Sequence, residues 1–150
     1  MICLDPQGIL GWSGGYLQKK GRAKAHVIEV LTNTVDSDYL AYLRKNSISY
    51  VFAGETKIDC VLLLHKLQNL FGIHRMILAG GGITNWGFAR EGLIDELSII
   101  VAPVADGSTN AVSIFEDIAG EEKTISMKLK NVTQLEGNVL WLTYTKQQEE

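Results

Sequence analysis

Apolar residues along this chain fall into short blocks divided by polar or glycine-rich breaks, and the spacing inside the blocks alternates between strand-like and helix-like. His26 to Leu31 (HVIEVL) is a β-branched run that predicts a strand closing at the polar cluster Thr32-Asn33-Thr34. Tyr39, Leu40, Tyr42 and Leu43 then recur at helical spacing over Asp38 to Lys45, behind a cap at Asp36 or Ser37. Ile48 to Ala53 (ISYVFA) predicts a second buried strand, ended by Gly54. Asp59 is placed to cap a longer helix over Cys60 to Leu70, with Leu63, Leu64, Leu67 and Leu70 as its apolar stripe and Gly72 at its C-terminal end. Arg75 to Ala79 (RMILA) follows as a third predicted strand. Its unbroken apolar character implies burial on both faces, as in a parallel sheet flanked by helices. Strand, helix, strand, helix, strand is the βαβ signature, so the fold class is α/β.

Beyond this point the pattern changes. Gly80-Gly81-Gly82 leads into a short helix over Ile83 to Glu91, stopped by Gly92, and Leu97 to Ala102 predicts a fourth strand before Pro103. Ile125 to Leu135 and Val139 to Tyr144 alternate apolar and polar residues around Glu136-Gly137-Asn138, which predicts an antiparallel hairpin added to the sheet. The expected architecture is therefore one mixed, mostly parallel sheet flanked by helices, with a C-terminal antiparallel hairpin. Residues 1–22 read as irregular, with at most a short edge strand, and Lys146 to Glu150 as a frayed polar tail. A length of 150 residues fits a single domain over 1–150.

Composition narrows the function. With 14 Lys+Arg against 17 Asp+Glu, and no basic cluster larger than Lys19-Lys20-Gly21-Arg22, the chain lacks the field of a nucleic-acid binder. No apolar run is long enough to span a membrane. Cys3 and Cys60 belong to no metal or redox spacing, which suits a reducing cytoplasm, and His26, His65 and His74 form no ligand pattern, so no metal site is expected. Three glycines between a strand and a helix leave backbone N–H groups open to an anion, and the helix dipole favours one there. The alternative is that they serve only a tight turn and close packing. Thr32-Asn33-Thr34 and Ala53-Gly54-Glu55 end their strands at the edge where open α/β sheets bind ligands, although the first cluster also reads as a turn satisfying its own backbone. Trp86, just after the glycines, is the tryptophan best placed to meet a ligand.

The segment ILAGGGITNWGFAREGLIDELSIIVAPVADG resembles the core of the reductase domain of riboflavin-biosynthesis deaminase-reductases, a domain of dihydrofolate-reductase-like fold. HVIEVLTNTVDSDYLAYLRKNSISYVFAG, DCVLLLHKLQNLFGIHR and LEGNVLWLTYT are similar to the same family, so the likeness runs over residues 26–146. It implies an NADPH-dependent oxidoreductase acting on a small molecule, a phosphoribosylamino-pyrimidine or a related pterin-like compound, by hydride transfer. By position it sets Gly80, Gly81, Gly82, Ile83 and Thr84 at the cofactor's pyrophosphate, Thr32 and Asn33 near the adenosine 2′-phosphate, and Ala53 and Gly54 near the adenosine or its ribose. It identifies no catalytic residue.

The family opens with a strand carrying an SLDG-type motif, which this sequence does not show; Asp5 in CLDPQG suits a later loop. The expectation is thus a fold lacking the family's first strand, with the gap filled by residues 1–20 or by a second copy in a homodimer. A non-catalytic nucleotide-binding or oligomeric module of the same fold is the alternative function.

Overall fold

The computed structural model describes residues 1–120 and 123–147. Its contacts divide the chain into two compact units, residues 1–76 and 77–150.

The first unit is built on a parallel sheet of three strands, β1 (Ile2–Leu4), β4 (Ile28–Leu31) and β5 (Ser49–Phe52), with β4 in the centre. Every residue of β4 is buried, as its unbroken run of mostly apolar side chains requires. Helix α1 (Ser37–Lys45) starts where Asp36 accepts a hydrogen bond from the Asp38 amide at 2.7 Å. Helix α2 (Cys60–Phe71) starts where Asp59 accepts from the Leu62 amide at 2.8 Å, and it ends on Gly72 in the left-handed conformation. Only Leu63 and Leu67 of the expected stripe are buried; Leu70 is exposed, so α2 covers its sheet with a narrower face. Val27, Leu31, Leu43 and Ile48 form the core, packed round by Trp12, Leu17, Tyr39 and Phe52 among others.

The N-terminal segment is more ordered than its composition suggests. Ile2, Cys3 and Leu4 pair in parallel with Ile28, Glu29 and Val30, so β1 is an edge strand of the sheet. A second short ladder joins β2 (Tyr16–Leu17) to β3 (Ala25–His26) antiparallel. The predicted HVIEVL strand is therefore cut at Val27, whose amide donates to the Gly15 carbonyl at 2.9 Å before the chain enters β4.

In the second unit, helix α3 (Gly82–Arg90) precedes an antiparallel sheet of β6 (Glu96–Val101), β8 (Leu140–Lys146) and β7 (Met127–Gln134), in that order. The expected hairpin forms around the turn Glu136–Asn138, where Gly137 and Asn138 both take positive φ. It does not extend the parallel sheet: β8 pairs with β6, and the three strands make a sheet of their own. Arg75 to Ala79, the predicted third strand, enters no ladder, and Ile77 lies 88% exposed. An apolar run becomes a strand only where a neighbour offers backbone partners, and this one has none among the described residues. One register shift interrupts β7, where Leu129 faces Tyr144 and Asn131 faces Thr143, leaving Lys130 as the extra residue. Lys130 reaches Glu96 with an ion pair of 2.6 Å. The polar tail expected from Lys146 begins inside β8, and residues 148–150 lie outside those described.

Candidate functional site

Two places gather the residues singled out by the sequence, one in each unit. In the first unit, β4 and β5 run parallel and end side by side. The Ala53 amide donates to the Leu31 carbonyl at 2.8 Å, and the Asn33 amide to the Gly54 carbonyl at 3.0 Å. Gly54 has φ +130, and a Cβ on it would lie 1.9 Å from the Lys57 carbonyl oxygen. Only glycine lets residues 54–57 fold back so tightly before Asp59 starts α2. That fold leaves a cavity of about 480 Å³, with Asn33, Gly54, Glu55, Lys57 and Lys66 in its wall. Such a volume falls in the range of small-molecule sites.

Thr32, Asn33 and Ala53 sit differently around it. Thr32 is fully buried, and its hydroxyl is engaged with the Pro6 carbonyl at 2.5 Å and the Thr34 hydroxyl at 2.8 Å, which fastens the N-terminal loop. Ala53 is also fully buried, and its carbonyl accepts from the Asp59 amide at 2.8 Å. Asn33 is exposed, and its Nδ2 donates to Glu55 Oε1 at 2.6 Å.

In the second unit the glycines divide their work. Gly80 and Gly81 both have positive φ and stand before the start of α3, with Gly81 as its N-cap. Among the described residues no side chain caps this helix, and its first turn holds no acidic residue, so the amides of Gly82, Ile83 and Thr84 keep their donor capacity toward that end. A Cβ on Gly80 would meet nothing, and one on Gly81 only Thr84 Oγ1 at 3.8 Å. The open space and the uncapped donors fit an anion such as a pyrophosphate. Gly82 plays the packing role instead: a Cβ there would come within 2.8 Å of the Ser113 carbonyl oxygen, and the Gly82 carbonyl accepts from the Glu116 amide at 3.1 Å. Helix α3 begins at Gly82, one residue before the predicted start. Trp86 lines an apolar pocket of about 320 Å³ with Ile94, Phe115 and Met127, and its buried Nε1 has no hydrogen-bond partner among the described residues.

One polar constellation was not foreseen. Glu29, in the middle of β4, is fully buried and accepts from Trp12 Nε1 at 3.0 Å and from Tyr39 Oη at 2.9 Å. Asp5, 3% exposed, accepts from the Ile9 and Leu10 amides at 2.7 and 2.9 Å and faces the same Tyr39 hydroxyl at 3.0 Å. Burial pushes the Glu29 carboxyl up to about 7, the neighbouring Asp5 adds to the rise, and the bonds from Trp12 and Tyr39 oppose it. Burial, with both carboxylates beside it, likewise raises Tyr39. The only sign in the sequence is a carboxylate inside a β-branched run, where an unpartnered charge would be costly. The cluster ties the loop from Asp5 to Trp12 onto β4 and α1.

Known proteins place this fold. A pyrimidine reductase-like protein from Corynebacterium diphtheriae superposes with a TM-score of 0.77 at 11% identity, over 99% of this chain and 61% of that one. RibD from Acinetobacter baumannii superposes with a TM-score of 0.69 at 23% identity, over 96% of this chain and 36% of the other. The fold is thus that of the pyrimidine reductase-like proteins. The model of the RibD C-terminal domain matches residues 18–141, and the chain belongs to that family. In sequence it is 29% identical over 100 residues to the 2,5-diamino-6-ribosylamino-4(3H)-pyrimidinone 5′-phosphate reductase of Methanothermobacter thermautotrophicus, covering 67% of this chain and 45% of that protein. It is 28% identical over 112 residues to the enzyme of the same name from Aquifex aeolicus, covering 75% and 47%. The chain therefore spans about half the length of these curated relatives.

Proposed function

We propose that this protein is an NADPH-dependent reductase of riboflavin biosynthesis, acting on a phosphoribosylamino-pyrimidine of the kind named for its relatives. The observation that carries the reading is the uncapped N-terminus of α3 behind Gly80 and Gly81, in a chain of the RibD C-terminal domain family. In the second unit, Gly80 to Thr84 would hold the cofactor's pyrophosphate on backbone amides. In the first unit, Asn33 and Gly54 would meet the adenosine ribose and its phosphate, with Thr32 and Ala53 holding the strand ends that present them. The bound cofactor supplies a hydride; the protein supplies position and a field.

A non-catalytic nucleotide-binding module is the second reading, favoured by the state of Asp5. The family's SLDG-type motif is not shown by this sequence, and the aspartate of the superficially similar CLDPQG is buried and committed to the Ile9 and Leu10 amides. Calorimetric titration with NADPH, and separately with NADH, tests the cofactor assignment. Binding of NADPH in preference to NADH is the expected result, and binding of neither refutes it. Turnover of the pyrimidine substrate by the NADPH-loaded protein then separates enzyme from module.

A further inference from the structure

The apolar pocket beside Trp86 is lined by residues of the second unit alone and reaches the end of α3 that lies away from the glycine cradle. Two lysines mark that end: Lys123 Nζ donates to the Arg90 carbonyl at 2.8 Å, and Lys146 Nζ to the Gly92 carbonyl at 3.0 Å. Gly92 makes room for the second, since it has φ +67 and a Cβ on it would stand 3.2 Å from Lys146 Nζ. With nine residues in α3, its two ends are roughly 12 Å apart at the helical rise per residue. The plain role of both lysines is to cap the last carbonyls of the helix. Capping does not exhaust them. Each ammonium group has three N–H donors and gives one to a carbonyl, and neither forms an ion pair among the described residues. Their two full charges outweigh the roughly half charge of a helix C-terminus, and among the described residues no carboxylate lines the pocket.

The rest of the wall sets the body of a ligand. Ile94, Phe115, Met127 and the Trp86 ring are apolar, and aromatic and thioether side chains make favourable contacts with another ring. An apolar cavity of about 150 Å³ takes one benzene, so one of about 320 Å³ holds roughly two fused rings. Trp86 Nε1, buried without a partner among the described residues, is a desolvated donor of the kind that native interiors seldom leave unpaired. We infer that this pocket is a second ligand site, for an aromatic carboxylate of about two fused rings, with the rings against Phe115, Ile94 and Met127 and the carboxylate drawn to Lys123 and Lys146. Such a ligand brings into the pocket both the negative charge and the hydrogen-bond acceptor that its wall lacks. The inference uses no residue of the glycine cradle, so it stands apart from the cofactor reading.

The test uses the full chain with three probes: 2-naphthoate, its neutral counterpart 2-naphthamide, and benzoate, which keeps the charge on one ring. Affinity is measured by calorimetry, and the site is located by nuclear magnetic resonance, from the Trp86 indole N–H, assigned by its loss in Trp86→Phe, and the Met127 methyl. The wild type should bind 2-naphthoate roughly tenfold more tightly than 2-naphthamide, as one charge-assisted contact supplies, and more tightly than benzoate, with both resonances shifting. Lys123→Gln with Lys146→Gln should abolish the preference for naphthoate over naphthamide while leaving naphthamide affinity unchanged, since glutamine still offers the helix carbonyls a donor. Raising the salt should erode the preference in the wild type. The comparison of probes on the wild type tests the charge even if the double variant unfolds. Naphthamide binding as tightly as naphthoate in the wild type, or a preference that survives in the folded double variant, overturns the carboxylate assignment. Binding of no probe, or binding that leaves the Trp86 and Met127 resonances unmoved, overturns the site itself.

Discussion

A single tyrosine proton governs the buried cluster of the first unit. Tyr39 Oη lies within hydrogen-bond reach of Glu29 Oε1, Asp5 Oδ2 and the Leu10 carbonyl, three acceptors for one hydroxyl proton. A protonated Glu29 resolves the shortage, because it donates to Tyr39, which then donates to Asp5 or Leu10. The stability consequence has a definite sign. Since the folded-state value of Glu29 is raised from 4.5 to about 7, the protonated form favours folding. The contribution is complete below pH 4.5 and is lost as pH rises through 7. Up to about 3 kcal/mol should disappear across that window. Glu29→Gln should keep the fold, since its amide can donate to Tyr39 and its carbonyl can accept from Trp12. Urea melts at pH 5 and pH 8 should show the wild type losing more stability than Glu29→Gln; equal losses would place the proton elsewhere. Beyond a carboxylate inside a β-branched run, little of this could be read along the chain, because the cluster's members lie on the loop after β1, on β4 and on α1.

At the scale of the element, legibility followed locality. Helices α1 and α2 begin at Asp36 and Asp59 and the second ends at Gly72, because caps act on amides and carbonyls a few residues away. The hairpin was legible for the same reason, its turn being written in Glu136-Gly137-Asn138. The strand expected over Arg75 to Ala79 failed because strand formation depends on distant partners, which hydropathy does not report. At the candidate site, the strand ends at Asn33 and Gly54 were visible, whereas Lys57 and Lys66 were not: the cavity exists only because the loop after β5 folds back beside α2. The caps allow a direct test. Asp59→Ala should cost about 1 kcal/mol through loss of the bond to Leu62. Gly72→Ala should cost about as much, through the left-handed backbone at that position. The two ends of α2 are roughly 18 Å apart at the helical rise per residue, so the double variant should show the sum in thermal melts. A shortfall would mean that α2 frays as one piece.

The molecule as a whole leaves much apolar surface uncovered in its second unit. Val101, Leu129, Val132 and Leu140, which the register sets on one face of the antiparallel sheet, are at least 38% exposed. We propose that the protein forms the homodimer anticipated from the sequence, and this surface supports it, since exposed apolar area of this kind marks association sites. Sedimentation equilibrium should give twice the chain mass, and Val132→Glu should lower the association constant. A monomer at all concentrations would remove the dimer from the proposal.

The extra residue in β7 has a bearing on the relatives of this chain. Leu129 and Val132 stand an odd number of positions apart, so a regular strand would turn them to opposite sides. The register shift at Lys130 lets them face Tyr144 and Leu142 of the same strand on one side of the sheet. Deleting Lys130 would therefore leave Leu129 and Val132 on the same side of the sheet and make the pairing with β8 regular. A family member one residue shorter here should space its apolar side chains by two throughout, and its cation opposite Glu96 should come from another position.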